Sequence, residues 1–249
     1  MGLDLIPLGK PKPSHENEHA RLFEALKSAS FVDIPSPSAL VRMKQKLQVL
    51  LGLRAKSDVS MGRQADGPIL LKQLEGISIS PYETLGCPQV GIDPAADTWA
   101  EMAYDKSAEK REGLSFEEFK RQLHGEYVLA LAPPSDGLPR YASGPGRYVE
   151  GYAFRGKALT EDGIEEILGS DLHIQAWMHF TPQELIEYSD QLEEAARHYV
   201  QEHDITRDVM SLKVGDEISH EEELLLIILS TARWCRYWGK NGHPVWSDY

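Results

Sequence analysis

Sulfur is scarce, net positive charge is absent and no apolar run reaches membrane length, and each lack removes a class of protein. Only two cysteines, Cys87 and Cys235, occur in 249 residues. They allow at most one bridge and form no Cys-X-X-Cys pair, which excludes a disulfide scaffold or a cysteine-rich zinc module. Such sparing use of thiols points to a reducing compartment. The longest apolar run, Leu224-Leu225-Leu226-Ile227-Ile228-Leu229, is far shorter than the ~20 residues of a membrane helix, and Arg233 and Arg236 follow it closely. At the N-terminus, Asp4 stands where a secretory signal is basic and Pro7 interrupts the apolar stretch. Ile6 occupies the position where a myristoylation signal has Ser or Thr. These features set the expectation of a cytoplasmic protein with no membrane partner.

Phosphate-loop glycines, a Gly-X-Ser-X-Gly elbow, internal repeats and low-complexity tracts are also missing. A net charge of -13 speaks against nucleic acid, because that affinity rests on Lys and Arg neutralising phosphates. The charge is uneven: residues 1–64 carry about +4 and residues 150–224 about -14. The acidic face reads either as a solvated, solubilising surface or as a site for a cationic ligand or a basic protein, and a basic protein is the partner expected. With 41% hydrophobic residues the chain is ordinary for a globular protein. A chain of this size buries roughly three quarters of its unfolded surface, so no metal or cofactor is needed to hold it.

The pattern along the chain predicts a mainly helical α+β fold in a single domain over 1–249, with a small antiparallel sheet and a long irregular connection at about 57–96. A strand is expected over 3–8, ended by Gly9-Lys10-Pro11-Lys12-Pro13. A helix opens near Ser14 with Leu22, Phe23 and Leu26 on one face, and another carries Leu40, Val41, Met43, Leu47, Leu50 and Leu51. Ser115 with Glu118 makes a capping box before a further helix. Tyr127 to Ala132 and Arg147 to Arg155 read as two strands joined by the turn-rich loop 133–147.

Two helix starts are sharper. Thr181-Pro182-Gln183-Glu184 combines a cap, a proline at the first helical position and an acid that closes the box. Leu185, Tyr188, Leu192, Ala196, Tyr199 and His203 then share a face. Ser219 with Glu222 starts a helix running to about Trp238, apolar around most of its circumference and therefore buried on several sides.

Among motifs, His15-Glu16-Asn17-Glu18-His19 matches the His-Glu-X-X-His pattern in which one helical turn sets two imidazoles on a zinc and the glutamate activates its water. It falls next to Lys-Pro-Lys-Pro on a first turn, and no third ligand is evident downstream. The expectation is no bound metal. His198 and His203 lie about 140° apart around a helix and cannot share an ion. His203 falls in the apolar stripe, where a hydrogen-bonded core histidine is expected. Cys235, inside the last helix, reads as a packed thiol.

The segment with most chemistry is 140–155. On a strand, Tyr148, Glu150 and Tyr152 share one face, and Arg140 in the preceding loop is a partner for the carboxylate. Arg140, Tyr148, Glu150 and Tyr152 are therefore the candidate ligand-binding residues. Between Arg233 and Tyr249, aromatic residues interleave with cations, which serves to seal the core and pair with the acidic stretch. Two functions follow. The first is a non-enzymatic interaction protein, binding a partner through its acidic face or the 133–147 loop. The second is a hydrolase, metal-dependent through His15, Glu16 and His19 or using Glu150 as its acid-base group.

Overall fold

The computed structural model describes residues 3–30, 67–106, 110, 112–133, 159, 161–211 and 217–248. The fold is mainly helical α+β. In chain order the described elements are β1 (Asp4–Pro7), β2 (Lys10–Pro11), α1 (Glu16–Ser30), α2 (Gly67–Gly76), β3 (Ser78–Ile79), α3 (Pro81–Thr84), α4 (Pro94–Lys106) and α5 (Phe116–Gln122). They continue with α6 (Ile164–Gln175), α7 (Pro182–Glu202), α8 (His220–Lys240) and β4 (Val245–Asp248). Two compact units result: residues 11–78, and residues 1–10 with 79–249.

In the smaller unit α1 packs on α2, and Leu22, Phe23, Leu26 and Leu74 are buried. The spacing of the three α1 residues puts them on one face of a 3.6-residue turn. Lys12 closes the unit, its backbone N–H donating to the Ile77 carbonyl at 2.9 Å and its Nζ to the Gly76 carbonyl at 3.1 Å. Within the connection expected at 57–96, the described residues form two helices, α2 and α3, with the short strand β3 between them. Ser80 caps α3 by a full capping box with Pro81 at the first position, a signal as local as the ones read elsewhere. The helix expected around Leu40 to Leu51 lies outside the described residues.

The larger unit is built around α7 and α8. Pro182 and Ile186 of α7 lie beside Gly239 of α8, and Asp190 and Glu193 pair with Arg236, so the two helices run antiparallel. Both start as expected, Thr181 and Ser219 each accepting the N–H of the third helical residue. The core joins Leu185, Tyr188 and Leu192 of α7 to Leu225, Ile228, Trp234 and Trp238 of α8, with Ile164 and Leu168 of α6 and Leu5 of β1. A satellite cluster of Val90, Ala96, Ala100 and Val128 lies under α4.

The antiparallel pair differs from the expected one. β1 pairs with β4 in the register Asp4↔Asp248 to Pro7↔Val245, so the ribbon joins opposite ends of the described chain. Tyr127 to Ala132 is not a strand. Tyr127 forms one bridge with Gln89, and Leu129–Leu131 closes into a 3-10 turn. The ladder ends because Val128 donates to the Pro88 carbonyl and Pro88 has no N–H to continue it. The chain then curls, with Leu131 donating to the Val128 carbonyl at 3.1 Å. The second expected strand, 147–155, lies outside the described residues.

Candidate functional site

Within the described part of the acidic segment 150–224, acids run along α7, and further groups of them gather at three helix ends. α6 begins with Glu165 and Glu166 exposed in its first turn, just after Glu161 and Asp162. α8 begins with Glu221, Glu222 and Glu223. α7 ends in Glu202, followed by Asp204 and Asp208. Acids in the first turns of α6 and α8 favour those helices by facing their positive ends, whereas those at the end of α7 lie at its negative end and gain nothing from it. Their gathering is a tertiary matter.

Gly163 allows one approach. It has φ +95°, and a Cβ there would stand 2.7 Å from Leu224 Cδ1 and 3.8 Å from His220 Nε2. The first turns of α6 and α8 therefore meet at a residue without a side chain. Tyr199, in the last turns of α7, is close enough to both for their carboxylates to act on it. Its phenol is held above its ordinary pKa by burial first, then by the Glu221 and Glu166 carboxylates. The Tyr199 ring stacks on His203, with centroids 4.0 Å apart and planes 22° from parallel.

His203 is thus not the core histidine expected from the stripe. It occupies the C-cap of α7 and is exposed, because the helix ends there and the ring turns onto Tyr199 instead of inward.

Several acids of this rim are already engaged. Glu222 caps Ser219 and lies 3.6 Å from Arg207, whose Nη1 also donates to the Glu217 carbonyl at 2.8 Å. Glu223 lies 3.9 Å from His220, and Glu202 lies 3.2 Å from His198. Glu166 and Glu221 form no ion pair among the described residues. The rim therefore presents two exposed carboxylates beside an aromatic pair, an arrangement suited to an ammonium or guanidinium group.

The sequence-derived candidates fare differently. Arg140, Tyr148, Glu150 and Tyr152 lie outside the described residues, as does the 133–147 loop beyond Pro133. His15 precedes α1 and its Nδ1 faces Glu18 at 3.8 Å, whereas His19 is buried. Among the described residues no three His, Cys, Asp or Glu side chains gather as a metal site. Cys235 is a fully buried free thiol, its pKa raised far above the ordinary value by burial. Cys87 is also buried and outside any disulfide, close to Tyr127, whose phenol is raised by burial first and then by Glu83.

Glu166, Tyr199 and Glu221 were not singled out by sequence reasoning. The available signals were the acidic first turn after Ser219 and the Tyr199/His203 spacing of four at a helix end. Among the described residues no helix is long and apolar enough to cross a membrane. Comparison with known families, curated proteins and solved structures finds no match for the chain.

Proposed function

We propose that this protein is a non-enzymatic binding protein whose acidic rim docks a basic segment of a partner protein. One observation carries the reading: the carboxylates of Glu166 and Glu221, from the first turns of α6 and α8, both act on the half-buried Tyr199 near the end of α7 and help to raise its pKa. Carboxylates beside a stacked Tyr–His pair match a Lys or Arg side chain in charge and in shape. The net charge of -13 steers such a partner and repels polyanions. Two cysteines outside any disulfide agree with a cytoplasmic, reducing setting.

Calorimetric titration with an arginine- and lysine-rich peptide tests this. Binding is expected at low ionic strength and weakens as salt screens the rim. Exposed ion pairs contribute about 0.2–1 kcal/mol each, so Glu166→Gln with Glu221→Gln together should weaken binding about 2- to 30-fold. Equal affinity for a neutral peptide, or no effect of the double variant, sinks the proposal.

A further inference from the structure

His19, His179 and His243 are buried, and the partners of the last two differ in kind. His243 Nδ1 meets the Leu8 carbonyl oxygen at 2.7 Å, and its Nε2 meets the Thr84 hydroxyl at 2.8 Å. A carbonyl only accepts, so Nδ1 carries a hydrogen. A hydroxyl donates or accepts, so Nε2 is served in either charge state.

His179 lacks that latitude. Its Nδ1 receives the Ser247 backbone N–H at 3.1 Å. An N–H only donates, so this nitrogen must be bare and the ring neutral, with its hydrogen on Nε2. Protonation sets one N–H against another inside a buried site and removes the bond.

That bond lies at the centre of the docking of β4. Phe180 and Val245 exchange backbone hydrogen bonds at 2.9 and 2.8 Å. Ser247 Oγ donates to the Met178 carbonyl at 2.6 Å. The His179 ring stacks on Trp246, with centroids 3.6 Å apart and planes within 6°. β4 in turn pairs with β1.

We propose that His179 is an acid-sensitive latch: the neutral ring keeps β4 docked against residues 176–180, and protonation releases the strand. Among the described residues, these charged groups stand on the surrounding elements. Asp248 and Asp4 stand opposite each other on the ribbon. Glu184, at the start of α7, is held on the Thr181 N–H at 2.7 Å. On α6, His173 faces Glu165 at 4.0 Å and the Leu159 carbonyl at 2.8 Å.

The carboxylates attract an imidazolium, whereas the Ser247 N–H and burial oppose it. An unfolded histidine titrates near 6.5. In the latch, the docked ring holds its neutral form and so binds fewer protons than the free chain below that value. The docked strand therefore loses stability as pH falls.

Amide hydrogen exchange followed by NMR between about pH 7.5 and about pH 5 tests the latch, with His179→Gln as the variant whose side-chain oxygen accepts the same N–H without titrating. Once corrected for intrinsic rates, protection of the Ser247 amide should fall up to about tenfold per pH unit below the ring's titration, the slope of a single linked proton. In the glutamine variant it should stay flat, and the Ile228 amide in α8 should keep its protection in both proteins. The His179 ring resonances in the unmodified protein give a second readout. Titration of the ring without loss of Ser247 protection overturns the latch, as does the same loss in the glutamine variant.

Discussion

α7 and α8 are both 21 residues long and both open on a full capping box, yet their surroundings differ. Five residues of α7 are buried, along one stripe, against twelve of α8. α7 therefore turns one side to the core and carries charge on the other. α8 is enclosed on several sides, by α7, by the 3-10 turn at Val209–Ser211 and by the core residues of α6 and β1. Even its polar residues comply: Thr231 Oγ1 donates to the Ile227 carbonyl at 2.8 Å instead of seeking water. Local start signals decide where a helix begins; the apolar pattern decides how much of it is covered.

The sharpest way to break this contrast is in the middle of α8. Ile228 is fully buried, and Ile228→Ala should cost about 2–5 kcal/mol, the range for large-to-small changes in a packed core. Urea unfolding checks it, and a loss below about half a kcal/mol would mean that α8 is peripheral after all.

The contact between the two helices offers a smaller, more diagnostic effect. Alanine for glycine ordinarily stabilises a helix by about 1 kcal/mol. At Gly239 the added Cβ would stand 2.7 Å from Ile186 Cγ1 and 2.8 Å from the Pro182 carbonyl oxygen. Gly239→Ala should therefore destabilise, by about 1–3 kcal/mol. A raised melting temperature would show that the two helices are not so close.

The smallest effect belongs to the device both helices share. Thr181 accepts the Glu184 N–H at 3.3 Å, and Thr181→Ala should cost about 1 kcal/mol in chemical denaturation. If the loss instead matched that of Ile228→Ala, the start of α7 would be held by packing, and its cap would not be a local matter.

These cases also show which parts of the site could be read in advance. The starts of α5, α7 and α8 were legible because a capping box is complete within four residues. The burial of Trp234, Cys235 and Trp238 was legible from the all-round apolar pattern of their helix. Glu166 and Glu221 were visible only as members of an acidic stretch, since nothing in their spacing places either beside Tyr199. His203 was misplaced because the stripe was extended one position past the point where helical geometry holds. Residues 127–132 have strand-like composition, but a strand also needs a partner able to continue the ladder, and Pro88 is not one.

The sequence by itself determined the class of the fold, the helix starts, the deep burial of α8 and the acidity of one segment, because each depends on residue types and on neighbours a few positions apart. Only the tertiary structure decided that residue 4 faces residue 248, that Gly163 admits the first turn of α8, and that Ser247 presents its N–H to His179. Those contacts join residues from 57 to 244 positions apart along the chain. Their energy comes from burying shared surface and satisfying backbone groups, which no periodicity along a single segment records.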